Sequence, residues 1–212
     1  MQIVVTGGTG FIGRPLCASL CQEGHQVTLL ARRKEEAQRS CGSTVTAVEW
    51  NGGKAGGWEH CLDDADAVIN LAGAPIADER WTETRKQLLR ESRVLTTHLL
   101  VEALSRRSSK SCTLISASGI GYYGASDDRV LDESAVRGQG FLADLCLAWE
   151  AEALRAAEFG VRVVMLRTGM VLEQDGGALP KMLLPFRFFA GGGRSCRGLS
   201  GYRGSIGAIT SV

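Results

Sequence analysis

Eight consecutive residues near the start, Thr6-Gly7-Gly8-Thr9-Gly10-Phe11-Ile12-Gly13, constrain this 212-residue chain more than any other stretch. They read TGxxGxxG. The apolar strand pattern Gln2–Thr6 precedes them, and a helical pattern from about Phe11 to Glu23 follows. A dinucleotide pyrophosphate needs a tight turn, close backbone approach and N–H groups at a helix N-terminus. Glycines at 7, 10 and 13 supply the first two and the helix end supplies the third. A glycine-rich string alone is weak evidence. Here the strand before it, the helix after it and a second strand at the right distance make dinucleotide binding the expectation.

The rest of the chain fits that start. Strands are expected at Gln26–Ala31, Thr44–Trp50, Ala67–Leu71, Cys112–Ser116 and Val161–Arg167. Helices are expected from about Thr82 to Ser105 and over Phe141–Glu158, the latter with Leu142, Leu145, Cys146, Trp149 and Ala153 on one face. Four strands are near-continuous apolar runs, which suits a parallel sheet covered on both sides. The alternation of strand and helix predicts an α/β, doubly wound parallel sheet.

The end of the second strand bears on cofactor choice. An acid about 20 residues past the glycine loop would bind a ribose 2′-hydroxyl. This chain has Ala31-Arg32-Arg33-Lys34 there. Guanidinium groups suit a 2′-phosphate, so Arg32 and Arg33 point to NADP(H) over NAD(H). The alternative, a basic turn that merely starts the next helix, leaves the missing acid unexplained. After the fourth strand, the small residues of Asn70-Leu71-Ala72-Gly73 would let the backbone run beside the cofactor.

Together these residues resemble the short-chain dehydrogenase/reductase superfamily, and TGGTGFIG with NLAG resembles its extended, epimerase-like branch. Four further segments narrow the likeness: RWTETRKQLLRESRVLTTHLL (80–100), SASGIGYYG (116–124), GFLADLCLAWEAEA (140–153) and LRTGMVLEQDGGALPKMLLPFR (166–187). They resemble the epimerase family of the 39U type, some members of which carry a cell-division-inhibitor label. The likeness covers about residues 1–190. It implies an NAD(P)-binding Rossmann fold, with Thr6 through Gly13, Asn70–Gly73, Arg32 and Arg33 at the cofactor. It also implies that Arg167, in Arg167-Thr168-Gly169, lies beside the nicotinamide.

The superfamily's Tyr-x-x-x-Lys pair is missing. Aligning Glu150 with the usual downstream Glu puts Leu142 at the Tyr position and Cys146 at the Lys position. Neither can donate a proton to a carbonyl or lower a phenol's pKa. Substitute chemistry could come from Ser116, Ser118, Tyr122 or Tyr123, at the C-terminal end of the fifth strand; Ser116, Ser118 and Tyr123 are the catalytic candidates. Both Tyr could equally be packing residues with satisfied hydroxyls. Arg85 and Lys86 could approach the cofactor, or could lie on an amphipathic helix with Leu88, Leu89, Leu95, Leu99 and Leu100 inward. Lys181 could contact substrate or be a surface charge. Asp127, Asp128, Asp132 and Glu133 read as a solvated acidic loop.

Two functions follow as expectations. One is an NADP(H)-dependent epimerase or oxidoreductase acting on a small carbonyl or hydroxyl substrate. The other is a non-catalytic NADP(H)-binding regulator or sensor. The 24 Lys and Arg balance 23 Asp and Glu, so charge gives no argument for nucleic acid. No apolar run reaches the ~18 residues of a membrane span. The start at MQIVVTGG leaves no room for a signal or transit peptide, and a cytoplasmic chain is expected. Seven cysteines are scattered without a CxxC, so reduced thiols and no metal site are expected. The two long helices could pair across a two-fold axis in a homodimer.

The domains read as 1–190, the cofactor-binding part, and 191–212, an irregular tail. The tail holds seven Gly and three Arg and has no acid or periodicity. Relatives in the resembled family continue with a segment like QWxSWIHxxDL before a C-terminal substrate lobe. Codons for Gly193–Val212 can be chosen so that a shifted frame reads PVLPGSQWVSWVHWRDHLG. The expectation is a frame-shifted or aberrantly spliced end from about Gly193, with the substrate lobe largely missing.

Overall fold

Polar residues at strand ends and apolar residues within them set the architecture of the computed structural model. It describes residues 1–42, 44–52, 56–107, 111–125, 129–173, 176–177, 179–180 and 182–183. The chain runs β1 (Gln2–Thr6), α1 (Gly13–Gln22), β2 (Gln26–Ala31), α2 (Lys34–Cys41), β3 (Val45–Glu49), β4 (Ala67–Asn70), α3 (Glu83–Ser105), β5 (Thr113–Gly119), α4 (Phe141–Leu154) and β6 (Arg162–Thr168). A short ribbon, β7 (Leu172–Glu173) with β8 (Gly176–Gly177), follows.

The large sheet has strand order β3-β2-β1-β4-β5-β6, with parallel pairing at β1–β2, β1–β4, β2–β3 and β4–β5. Successive side chains in β1 serve opposite faces. Ile3 and Val5 join Cys17, Val27, Leu29, Ala37 and Ile69 in one core. Val4 joins Leu30, Val68, Leu100, Leu104, Leu114 and Ala153 in the other. Both faces are therefore covered, which is why the strands carry no polar alternation. Each fully buried Leu contributes about 1.5–3 kcal/mol. The strand order reverses between β1 and β4, and in such sheets that switch point is where a crevice for ligands opens.

The chain divides into two compact units, Met1–Ser118 with Ala148–Leu166, and Gly119–Leu147 with Arg167–Val212. The boundary expected at 190 falls outside the described residues, as do Ser126–Asp128, Lys181 and the whole of 191–212.

Several expected elements shift in detail. Phe11 and Ile12 are in the turn, and α1 starts at Gly13. The helix expected to reach Glu158 tightens after Leu154 into a 3-10 turn, Arg155–Phe159, closed by Gly160 at φ +75°. β5 runs on to Gly119 rather than stopping at Ser116.

The inward face of α3 differs from expectation. Leu89 and Leu100 are fully buried, but Leu88 and Leu95 are exposed, while Arg85 and Arg93 are buried. At about 100° per residue, the buried residues 85, 89, 93, 97, 100 and 104 share one face, and Leu88 and Leu95 point roughly 130° or more from its centre. The leucines are not what marks the buried side of this helix.

Candidate functional site: the turn at the switch point

The glycines of the TGxxGxxG turn are fixed by space. Gly7 has φ +68°, and a Cβ there would lie 2.6 Å from the Leu71 carbonyl carbon and oxygen. A Cβ on Gly13 would lie 2.4 Å from the Gly7 oxygen and from the Gly8 Cα. The turn is tied internally by Gly10 N–H to the Gly7 carbonyl at 3.0 Å and by Arg14 N–H to the Gly10 carbonyl at 3.0 Å. Thr6, Gly8 and Gly13 are buried, while Thr9, Gly10 and Ile12 are exposed. Phe11 is half-buried.

Helix α1 has no side-chain cap and no acid in its first turn. α3 has both: the Thr82 hydroxyl accepts from Arg85 N–H at 3.1 Å, and Glu83 opens the helix. A cap of that kind is worth about 1 kcal/mol. The partial positive charge at the start of α1 thus meets no protein anion in its first turn, which suits a phosphate. The cleared backbone and the uncapped helix together fit a dinucleotide pyrophosphate.

Arg32 and Arg33 follow β2 directly. Both are exposed. Arg33 Nη1 meets Glu36 Oε2 at 3.0 Å, with the Arg33 side chain 79% exposed. Such surface pairs are worth about 0–1 kcal/mol, so a phosphate can displace this one.

Beneath the turn lies a buried polar network that the sequence did not announce. Register places Thr6, at the end of β1, beside Asn70, at the end of β4, and Asn70 beside Ser116 in the middle of β5. The Thr6 hydroxyl donates to Asn70 Oδ1 at 2.8 Å. Asn70 Nδ2 donates to the Thr97 hydroxyl at 2.8 Å and to the Ser116 hydroxyl at 3.4 Å. Trp149 Nε1 also donates to the Thr97 hydroxyl, at 3.0 Å, and that hydroxyl donates to the Arg93 carbonyl at 2.7 Å. Asn70 and Thr97 are fully buried. Nearby, the Ser118 hydroxyl donates to Glu150 Oε1 at 2.5 Å, both residues being buried. Of the three catalytic candidates, Ser116 and Ser118 therefore sit in the first unit among hydrogen-bonded side chains.

Tyr123 belongs to the second unit. It ends a 3-10 turn, Ile120–Tyr123. Arg167 Nη1 donates to the Tyr123 phenol oxygen at 2.9 Å, and the Arg167 guanidinium carbon lies 3.6 Å from the Tyr122 ring centre. Arg167, expected at the cofactor, thus stacks on one Tyr and holds the other. The same unit shows where the missing pair stands. A Cβ on Gly121 would lie 3.1 Å from Leu142 Cβ and 3.8 Å from Cys146 Sγ, and the Cys146 thiol donates to the Gly119 carbonyl at 3.6 Å. Leu142 and Cys146 pack on this glycine backbone.

Four thiols elsewhere are pushed toward the protonated form by burial. Burial, with the neighbouring Cys41 and Cys21 adding to it, pushes the Cys17 thiol up to about 12. Burial likewise raises Cys41, Cys61 and Cys112. The six described cysteines are free. Among the described residues, no group of three His, Cys, Asp or Glu could hold a metal ion, and no helix is long and apolar enough to cross a membrane.

The strand order and the glycine turn at its switch point define a Rossmann fold of the extended short-chain dehydrogenase/reductase type. The family model for the NAD dependent epimerase/dehydratase family matches residues 3–174, and the chain belongs to that family. It is 38% identical over 197 residues to the Arabidopsis thaliana epimerase family protein SDR39U1 homolog, chloroplastic, covering 91% of this chain and 55% of that protein. It is 40% identical over 180 residues to the Mycobacterium bovis epimerase family protein Mb2239, covering 85% and 57%. Among solved structures, human epimerase family protein SDR39U1 (isoform 2) with NADPH matches with TM-score 0.70 at 34% identity, over 91% of this chain and 61% of that one. The nucleoside-diphosphate sugar epimerase from Corynebacterium glutamicum matches with TM-score 0.71 at 33% identity, over 88% and 37%. The chain spans little more than half the length of these two curated relatives.

Proposed function

We propose that the chain is an NADP(H)-binding, atypical short-chain dehydrogenase/reductase-like protein, acting as an epimerase or oxidoreductase on a small carbonyl or hydroxyl substrate. The observation that carries the cofactor half is the cleared glycine turn against an uncapped α1, with Arg32 and Arg33 where an NAD site would have an acid. The human relative's structure with NADPH supports the same choice. In this reading the backbone from Thr6 to Gly13 (with Gly8, Thr9, Phe11 and Ile12 shaping the turn) holds the pyrophosphate. Arg32 and Arg33 take the 2′-phosphate and Asn70–Gly73 lines the cofactor; the family resemblance also assigns Arg167 to the cofactor. Residues 1–190 form the cofactor-binding part. Bound NADPH would supply a hydride. Ser116, Ser118 and Tyr123 are the polar groups we assign to substrate.

A second reading, a non-catalytic NADP(H)-binding regulator, draws on Leu142 and Cys146, which pack on glycine backbone where the superfamily places its acid/base pair. Two measurements separate these readings and test the cofactor. Titration of NADPH and NADH into the chain and its Arg32→Ala variant should show wild type favouring NADPH. The variant should lose about 1.5–3 kcal/mol, or roughly 10- to 150-fold, of that affinity. Equal affinities in wild type would sink the NADP(H) assignment. Isotope-labelled hydride exchange with a panel of small carbonyls then decides catalysis, since exchange abolished by Tyr123→Phe supports the enzyme and none with any carbonyl supports the regulator.

A further inference from the structure

Helix α3 carries two buried arginines that the cofactor reading leaves unused. Arg85, Leu89, Arg93 and Thr97 recur every four residues and form one ridge. Arg93 Nη2 donates to the Ala74 carbonyl at 2.9 Å and Nη1 to the Leu89 carbonyl at 3.1 Å. Arg85 Nη2 donates to the next carbonyl along, that of Pro75, at 2.6 Å. Between these two residues on the helix, the Ser92 hydroxyl accepts from Ala74 N–H at 3.0 Å. The Arg93 guanidinium lies 5.3 Å from the Trp149 ring centre. Its carbon is 2.9 Å from where a Cβ on Gly73 would be.

Burying a guanidinium is costly, and these bonds are not needed to satisfy the loop. Ala74 is half-buried and Pro75 is exposed, so water could serve their carbonyls. What the arginines add is location. Gly73 and Ala74 continue directly from Leu71 and Ala72, whose peptide lies against Gly7 with no room for a methyl group. Leu71 N–H is in turn held by the Thr6 carbonyl at 3.1 Å. Slack at Ala74 is therefore passed to the wall against which the glycine turn is built.

We infer that Arg93, supported by Arg85, is a positioning residue for the cofactor cradle: it pins the Gly73–Pro75 segment so that Leu71–Ala72 braces the Gly7 turn. The inference rests on the cofactor-binding reading above. It gives the SR of the RESR segment a role, and it makes Gly73 a residue selected by the guanidinium beneath it.

The test uses the full 212-residue chain and four variants: Arg93→Met, Arg93→Lys, Gly73→Ala, and Leu104→Ala as a core control on the same helix. NADPH affinity is read by titration and amide hydrogen exchange by mass spectrometry, with Tm recorded for each. Arg93→Met should weaken NADPH about tenfold and speed exchange at Gly10, Leu71 and Ala74. Arg93→Lys should fall between it and wild type. Gly73→Ala, which drives a methyl into the guanidinium, should weaken NADPH in the same direction. Leu104→Ala should lower Tm while leaving affinity and the turn's exchange unchanged. The inference is overturned if Arg93→Met binds NADPH as wild type does, or if exchange at those amides is no faster than in Leu104→Ala. Should wild type itself bind no NADPH, the cofactor reading fails, and the exchange comparison alone still decides for or against the brace.

Discussion

Replacing Thr97 by Val keeps the outline of the side chain and removes one oxygen, and the structure says which groups notice. That hydroxyl accepts from Asn70 Nδ2 at 2.8 Å and from Trp149 Nε1 at 3.0 Å, and donates to the Arg93 carbonyl at 2.7 Å. The site is fully buried, so no water replaces it. Each stranded buried donor costs about 1–3 kcal/mol. Asn70 keeps a second, longer contact to Ser116 at 3.4 Å, which softens one of the two losses. The expected total is about 2–4 kcal/mol, at the upper end for a single substitution. Thr97→Ser keeps the oxygen and deletes one methyl, at about 1 kcal/mol, so it should be the milder change although it opens a cavity. Thr96→Val is the matched control. Its hydroxyl donates to the Gly52 carbonyl at a long 3.4 Å, and its loss should cost under about 1 kcal/mol. Urea unfolding followed by tryptophan fluorescence ranks the three. Thr97→Val no worse than Thr97→Ser would refute the idea that the hydroxyl is the hub.

Other outcomes follow from the same geometry. Gly13→Ala puts a methyl 2.4 Å from the Gly7 oxygen and the Gly8 Cα, backbone atoms that cannot step aside. It should abolish NADPH binding and lower Tm, whereas retained affinity would show that the turn is looser than drawn. Cys146→Lys should destabilise by several kcal/mol, since an ammonium would be buried where the thiol now meets the Gly119 carbonyl; an unchanged urea midpoint at neutral pH would contradict the packing. The Cys17 thiol, raised in the fold from about 9 to about 12, contributes stability that is complete below pH 9 and is lost as pH rises toward 12. Unfolding midpoints at pH 8, 9.5 and 10.5 should therefore fall less steeply in Cys17→Ala than in wild type, and parallel slopes would discard the assignment.

Much of the fold was legible because its signals are local. Ile3–Val5, Val27–Leu30 and Val68–Ile69 are apolar on every residue or nearly so, a pattern that only a strand buried on both faces sustains. The glycine turn was legible for a related reason. Gly7 is required by its positive φ and by the Leu71–Ala72 peptide against it, and Gly13 by contacts within the turn, and the motif's spacing marks both. Boundaries were less readable. Whether Phe11 and Ile12 are helix or turn depends on where Gly13 meets Gly7, and the tightening of α4 after Leu154 depends on Gly160 closing the end.

The polar interior was not legible, and the reason is physical. Asn70 and Trp149 lie 27 and 52 residues from Thr97, and the three become one network only when the register is fixed. Arg85 was left between a cofactor contact and a solvated charge, and Arg93 drew no reading of its own, because a guanidinium is usually solvated; the leucines around them drew the buried face to Leu88 and Leu95 instead. One signal in the sequence would have corrected this. Arg85, Leu89, Arg93 and Thr97 share a four-residue spacing with Val101, and placing that ridge inward requires each polar member to have a partner. The loop carbonyls of Ala74 and Pro75 and the strand-end side chain of Asn70 are those partners. A helix that buries arginines therefore has to be read together with the backbone that receives them, and here that backbone is the wall of the proposed cofactor cradle.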